Sequence, residues 1–116
     1  MGRNRNFDPQ DVLRDARAVF AERGYEGTSV DMLVSATGVH RGSLYSVFGS
    51  KRGLFLECLK QAIETHGADD EIVLVALFDL APRDAEARQL LAALPELNET
   101  AVGARLMRRA NINPKE

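Results

Sequence analysis

The chain has 116 residues, of which 45% are hydrophobic and 28% are charged, and its net charge is −2. This length suits one domain with a real core, and the composition is typical of a soluble globular protein. No apolar run is long enough for a membrane helix, and the N-terminus lacks a signal-like apolar core, so we expect a cytoplasmic protein. The single cysteine, Cys58, excludes an internal disulfide and a cysteine-rich zinc site, and we expect no metal and no cofactor.

The small net charge conceals an asymmetry along the chain. Residues 1–60 carry nine Lys or Arg against seven Asp or Glu, whereas residues 61–116 carry six against ten. The stretch 32–56 contains three cations, Arg41, Lys51 and Arg52, and no acidic residue. A local positive field of this kind suits an anionic partner even when the whole protein is acidic.

Apolar residues recur at helical spacing along the chain, and turn-spaced strands are absent from the pattern, so the predicted fold class is all-α. A first helix is predicted after Asp8, a suitable N-cap, with Pro9 at its first position and Gly24 at its end. A second helix begins at "TSVD", either through a capping box that starts at Thr28 or through a direct cap at Ser29.

Gly38 separates the second helix from a short third helix, which is predicted over residues 39–47. The side predicted to face the core carries Val39, Leu44 and Phe48. The side predicted to face outward carries His40, Arg41, Ser43, Tyr45 and Ser46. A fourth helix begins after the cap Ser50 and runs to about Gly67.

The segment "ADDEIVLVALFDLA" opens with acids, which favour a helix N-terminus, and continues with apolar residues on all sides, which predicts a helix buried on more than one face. A buried strand would have a similar pattern, but the helical context favours a helix. We expect this helix, over 72–80, to bury one side in its own chain and one against a second copy; a helix in a monomeric core is the alternative. Pro82 ends it, and further helices are predicted over 84–94 and from Asn98 or Thr100.

Two short helices joined by a tight glycine turn, the second of which presents small polar and basic side chains, are typical of a helix-turn-helix DNA reader. Gly42 fits this interpretation, because glycine inside a helix costs roughly 1 kcal/mol relative to alanine and a slim helix can approach base edges closely. The alternative is that Gly42 only lets two helices pack. Lys51 lies at the positive end of the fourth helix, where a bound phosphate would offset its charge; a solvated lysine is the alternative.

The segment "GYEGTSVDMLVSATGVHRGSLYSVFGSKRGLF" resembles the DNA-binding domain of the tetracycline-repressor (TetR) family of bacterial transcriptional regulators. The matching features are "GY", "TSV", "ATGV", "GSLY", "F-G-S-K" and "L-F", and the resemblance covers about residues 8–63. It implies a helix-turn-helix DNA-binding region over 1–49. The remaining residues, 50–116, would form a short helical region for dimerisation and effector response, packed with the first as one compact unit.

The resemblance implies nine DNA-binding residues. At the start of the second helix, phosphate contacts are implied for Thr28 and Ser29. On the recognition helix, the groove-facing residues are His40, Arg41, Gly42 and Ser43. Contacts to phosphates of the DNA backbone are implied for Tyr45 and Lys51, and Ser46 is a further candidate for such a contact. Among these, Arg41 is the best candidate for base readout, since a guanidinium can pair with guanine O6 and N7.

The sequence departs from the family pattern at several positions. His40 replaces the usual Ser or Thr, and Val47 replaces the usual His or Tyr. We expect Val47 to remove one phosphate contact and Arg52 to add one nearby. Arg3 and Arg5 could reach a groove or a phosphate, with a mobile basic tail as the alternative.

We therefore expect a sequence-specific DNA-binding transcriptional regulator. It would be a repressor that binds a palindromic double-stranded operator as a homodimer, with a small-molecule effector as a further possible ligand and no membrane partner. The alternative is a truncated family member that serves as a protein–protein interaction module. We do not expect an enzyme, because His40 and His66 lie on different predicted helices and Cys58 has no base nearby.

Overall fold

The computed structural model describes residues 7–112, and within that range it contains helices and no strand, which confirms the predicted all-α fold class. Arg3 and Arg5 lie outside the described residues. The helices are α1 (Pro9–Arg23), α2 (Val30–Thr37), α3 (Arg41–Phe48), α4 (Lys51–His66), α5 (Glu71–Val75), α6 (Ala85–Ala92) and α7 (Glu99–Arg109). In this range, no helix combines the length and the apolar character that crossing a membrane requires.

Local capping sets the ends of the first two helices. The Asp8 carboxylate accepts a hydrogen bond from the Gln10 amide at 2.9 Å, and Gly24 ends α1 with a φ of 81°. At the start of α2, the Ser29 hydroxyl accepts from the Met32 amide at 3.1 Å. Ser29 is therefore the direct cap, and of the two predicted ways to begin this helix the capping box that starts at Thr28 is not used.

The third helix begins two residues later than predicted. Gly38 adopts the left-handed conformation with a φ of 73°, and His40 is still extended at the N-cap, so that α3 starts at Arg41. Its inward side is as predicted: Val39 and Leu44 are buried, and Phe48 packs against the core. The late start follows from the turn, since the chain needs extended residues after Gly38 to reverse direction.

Aromatic side chains from α1, α4 and the turn after α1 form the centre of the core. The Phe20 and Phe55 rings meet edge to face with centroids 4.9 Å apart, and the Tyr25 ring meets Phe55 in the same way at 5.2 Å. Helix α1 packs against α2, α4 and α5. The three helices that resemble a DNA reader therefore share one core with the C-terminal half.

The apolar segment after α4 is helical, as predicted, but irregular. Asp70 caps α5, which continues into a π-helical turn (Ala76–Leu80) and then a 3₁₀ turn (Ala81–Arg83). Residues 72–76 are all buried within this chain, whereas Phe78 is 84% exposed. The expectation that a whole side of this helix faces a second copy is therefore wrong for 72–76, and Phe78 is the large apolar side chain that it leaves exposed.

Candidate nucleic-acid interface

The outer side of α3 carries most of the residues that the resemblance implies for DNA binding. The residues that are exposed are His40, Arg41, Gly42 and Ser46. The residues that are half-buried are Ser43 and Tyr45, and Tyr45 also packs against the core. One short helix thus presents small and basic groups together on one surface, which suits entry into a major groove.

Packing within the described structure does not require a glycine at position 42. A Cβ atom built on Gly42 would meet no heavy atom within 4 Å. The alternative interpretation, that this glycine lets two helices pack closely, therefore has no support in the fold. Because glycine in a helix still costs roughly 1 kcal/mol relative to alanine, its presence fits a close approach by something outside the chain.

The Arg41 guanidinium is exposed and weakly held. Its Nη2 lies 3.5 Å from Asp31 Oδ1, and the two side chains are 62% and 91% exposed. An exposed ion pair of this length contributes little to stability and exchanges readily for another partner. Arg41 is therefore free to pair with a base or a phosphate.

The two residues at the start of α2 differ in what they can reach. Ser29 is exposed, whereas Thr28 is 1% exposed and its hydroxyl donates to the Gly24 carbonyl at 2.7 Å. In this conformation the Thr28 side chain does not reach the surface. Its contacts support the α1–α2 turn (Gly24–Ser29) instead of a phosphate ligand.

The Lys51 ammonium has intramolecular partners that sequence reasoning missed. Its Nζ donates to the Tyr25 carbonyl at 3.1 Å and to the Thr28 carbonyl at 3.2 Å, and it lies 4.3 Å from the centroid of the Tyr25 ring. An ammonium has three N–H donors, so one remains for a phosphate oxygen. Lys51 therefore ties the first turn of α4 to the α1–α2 turn. The only signal in the sequence was the unusual position of a cation at a helix N-terminus.

The Arg52 guanidinium is paired with two acids from the C-terminal half, which contradicts the expectation that it adds a phosphate contact. Its Nε donates to Asp84, and its Nη2 lies 3.2 Å from both Asp84 Oδ1 and Glu86 Oε1. Asp84 is 8% exposed and also caps α6. The Arg52 guanidinium holds the pKa of the Asp84 carboxyl below its usual range, with a further contribution from the Ala87 amide. Because these partners lie 32 and 34 positions away in sequence, no local pattern around Arg52 could have indicated them.

The other reactive side-chain types form no chemical centre in the part of the chain that the structure describes. Residues 7–112 contain no group of three or more His, Cys, Asp or Glu side chains placed to hold a metal ion. Cys58 is fully buried, its Sγ lies 3.5 Å from the Leu13 carbonyl, and burial raises the pKa of the thiol to about 12. This thiol is a packing group, as a buried apolar stripe predicts.

Comparisons with known proteins cover mainly the first half of the chain. Residues 12–58 match the profile of the family described as "Bacterial regulatory proteins, tetR family". YezE of Bacillus subtilis, described as an uncharacterized HTH-type transcriptional regulator, is 50% identical over 68 residues, which are 59% of this chain and 35% of YezE. The HTH-type transcriptional repressor AcnR of Corynebacterium glutamicum is 46% identical over 52 residues, which are 45% of this chain and 28% of AcnR. The chain thus spans about a third of the length of these relatives.

A solved structure extends the likeness beyond the matched segment. A cysteine mutant of the TetR family transcriptional regulator CifR, complexed with 26 bp double-strand operator DNA, superimposes with a TM-score of 0.55. The two chains are 28% identical, and the match covers 94% of this chain and 64% of that one. The profile, the relatives and the fold agree with the resemblance read from "TSV", "ATGV" and "GSLY": residues 12–58 of this chain are similar to the tetR family of bacterial regulatory proteins.

Proposed function

We propose that this chain is a sequence-specific DNA-binding transcriptional regulator, and that it acts as a repressor. The observation that carries the proposal is the outer side of α3, where Arg41 is weakly held and Gly42 leaves open space that the fold does not use. Support comes from AcnR, which is named a repressor, and from CifR, which is complexed with operator DNA. Catalysis has no part in the proposal.

In the proposed complex, α3 enters the major groove and Arg41 pairs with a guanine, while His40 and Ser43 lie over neighbouring base edges. Phosphates on either side are held by four groups: Ser29, Tyr45, Ser46 and the remaining N–H of Lys51. Repression would follow from competition with polymerase for promoter DNA. The division into a DNA-reading region over 1–49 and a C-terminal region over 50–116 belongs to this proposal.

The proposal includes a homodimer on a palindromic operator, because a two-fold protein places two recognition helices about one helical turn of DNA, roughly 34 Å, apart. The dimer is supported by a surface cleft in which Leu74, Phe78 and Leu106 supply apolar lining, while charged side chains of α1, the π-helical turn and α7 supply most of the rest. Phe78 and Leu106 are 84% and 48% exposed. An effector, where one binds, would have to alter the spacing of the two α3 helices.

The proposal is tested by an in vitro DNA selection with the wild-type chain, followed by affinity measurements over a range of salt concentrations. Lys51→Ala should weaken binding to all sequences and lower the salt slope by about 1, because one phosphate contact is lost. Arg41→Ala should relax the preference at one base position, at a cost of about 1–3 kcal/mol there.

A matched control for Lys51 is Lys60→Ala. Lys60 is also a cation of α4, but its Nζ is paired with acids, 3.4 Å from Glu57 and 3.6 Å from Glu86, and it is not among the proposed phosphate ligands. The Lys60→Ala variant should therefore show the same dependence of DNA affinity on salt concentration as the wild type. A wild-type chain that selects no sequence and shows no salt-dependent binding would overturn the proposed function.

A further inference from the structure

The α1–α2 turn (Gly24–Ser29) lies between two parts of the chain. On one side, Lys51 of α4 donates to two of its carbonyls. On the other side, Asp79 of the π-helical turn and Arg83 of the 3₁₀ turn contact it. The C-terminal half therefore touches the DNA-reading half at the turn that leads into α2.

Asp79 fits the turn closely. Its Oδ2 accepts a hydrogen bond from the Glu26 amide at 2.9 Å, across 53 positions in sequence. A Cβ atom built on Gly24 would lie 3.1 Å from the same oxygen, and Gly24 has a φ of 81°, which other residues rarely adopt. The glycine thus admits the carboxylate, and the carboxylate accepts a hydrogen bond from a backbone amide of the turn that follows α1.

Arg83 adds a second contact to the same turn. Its Nη2 pairs with Glu26 Oε2, and the two side chains are 54% and 61% exposed. A pair this exposed adds little energy, but it lies beside the Asp79 contact and restricts the same residue. Together the two contacts join the irregular segment after α5 to the backbone of Glu26.

This turn presents two of the proposed phosphate ligands. Ser29 is its last residue, and the carbonyls of Tyr25 and Thr28 orient the Lys51 ammonium. A turn that shifts would move the Ser29 hydroxyl and the remaining Lys51 N–H together. Displacement of a supporting group by about 1 Å is enough to weaken a site of this kind.

We infer that Asp79 is a positioning residue for DNA binding, which holds the α1–α2 turn in the conformation that presents Ser29 and Lys51 to phosphate. The inference rests on the proposed function and adds to it a residue outside the helix-turn-helix segment. The expected change in DNA affinity has a distinctive direction. Loss of an acidic side chain normally strengthens binding to a polyanion, whereas loss of Asp79 should weaken it.

The experiment compares Asp79→Ala, Asp79→Asn and wild type on the selected DNA. Asp79→Ala should bind about threefold to tenfold more weakly, the range of effects of residues that act without touching the ligand. It should also exchange the Glu26 amide hydrogen about tenfold faster, because one hydrogen bond to a charged acceptor is lost. Asp79→Asn keeps an acceptor oxygen and should restore most of both properties.

The control is Glu64→Ala, which removes an exposed acid from α4 and should leave affinity unchanged or slightly higher. Urea unfolding of each variant measures its folded fraction, so that weaker DNA binding can be separated from partial unfolding. The positioning role would be overturned if the wild type binds DNA and Asp79→Ala binds it with unchanged affinity. It would also be overturned if the loss of global stability in Asp79→Ala accounts for its weaker binding. Absence of DNA binding by the wild type would remove the proposed function and the positioning role with it, whereas Glu26 exchange would still report whether Asp79 holds the turn.

Discussion

Replacement of Gly42 by alanine should move stability and DNA affinity in opposite directions. In the free protein, a methyl group at this position meets no heavy atom within 4 Å, so it introduces no clash. Alanine is about 0.5–1 kcal/mol more favourable than glycine in a helix, which would raise the folding equilibrium constant about twofold to fivefold. In the proposed DNA complex the same methyl would lie on the groove side of α3. There we expect a cost of about 1 kcal/mol or more, comparable with overpacking in a tight core, and at least about fivefold weaker binding.

Two measurements on the same preparation test this pair of effects: urea unfolding followed by circular dichroism, and fluorescence anisotropy with a labelled operator. Gly103→Ala is the matched control. Gly103 also lies inside a helix, α7, and a Cβ there also meets no heavy atom within 4 Å. It should gain stability by a similar amount and bind DNA as the wild type does. If Gly42→Ala gains stability and binds DNA as tightly as Gly103→Ala, this side of α3 does not approach DNA.

Two further predictions concern buried groups. Because burial raises the pKa of Cys58 to about 12, the folded chain should react with a thiol reagent at pH 8 far more slowly than the chain in denaturant, and equal rates would contradict its burial. The pKa of Asp84 is lowered in the folded state by Arg52 and by the Ala87 amide, so its ionised form stabilises the fold above the unfolded pKa of about 3.9, and this contribution is lost as the pH falls through the lower folded pKa. The difference in urea midpoint between wild type and Asp84→Asn should therefore be largest at neutral pH and shrink below about pH 4. A difference that is the same at pH 7 and pH 3 would refute the ionic role.

The start of α1 and the ends of α1 and α2 could be predicted from sequence because they depend on neighbours in the chain. Asp8 and Ser29 accept hydrogen bonds from amides two or three residues away, and Gly24 and Gly38 end helices with positive φ. Each of these interactions is complete within one turn of backbone, so residue type and position contain the necessary information. The family resemblance rested on the same local region.

Contacts between distant segments could not be predicted in this way. Arg52 looked like a phosphate ligand because its local surroundings contain no acid, but Asp84 neutralises it from a different helix. The hydrogen bond from the Glu26 amide to Asp79 in the π-helical turn likewise has no local sequence signal, since it joins residues 53 positions apart. The charge pattern along a sequence shows which charges are close in the chain. Which cation forms an ion pair with which acid depends on the folded arrangement.

The burial of α5 affects how a genetic screen for loss of DNA binding should be interpreted. Residues such as Val73 are fully buried, and α5 packs against α1 and α4, so a polar substitution there would destabilise the helices proposed to read DNA without lying on the α3 surface. Such a screen would recover two groups of alleles: exposed ones on α3 and interior ones on α5. The interior group should be temperature-sensitive, and its mildest alleles should regain part of their activity when Gly103→Ala adds about 0.5–1 kcal/mol of stability, whereas alleles at Arg41 should gain no activity from this suppressor.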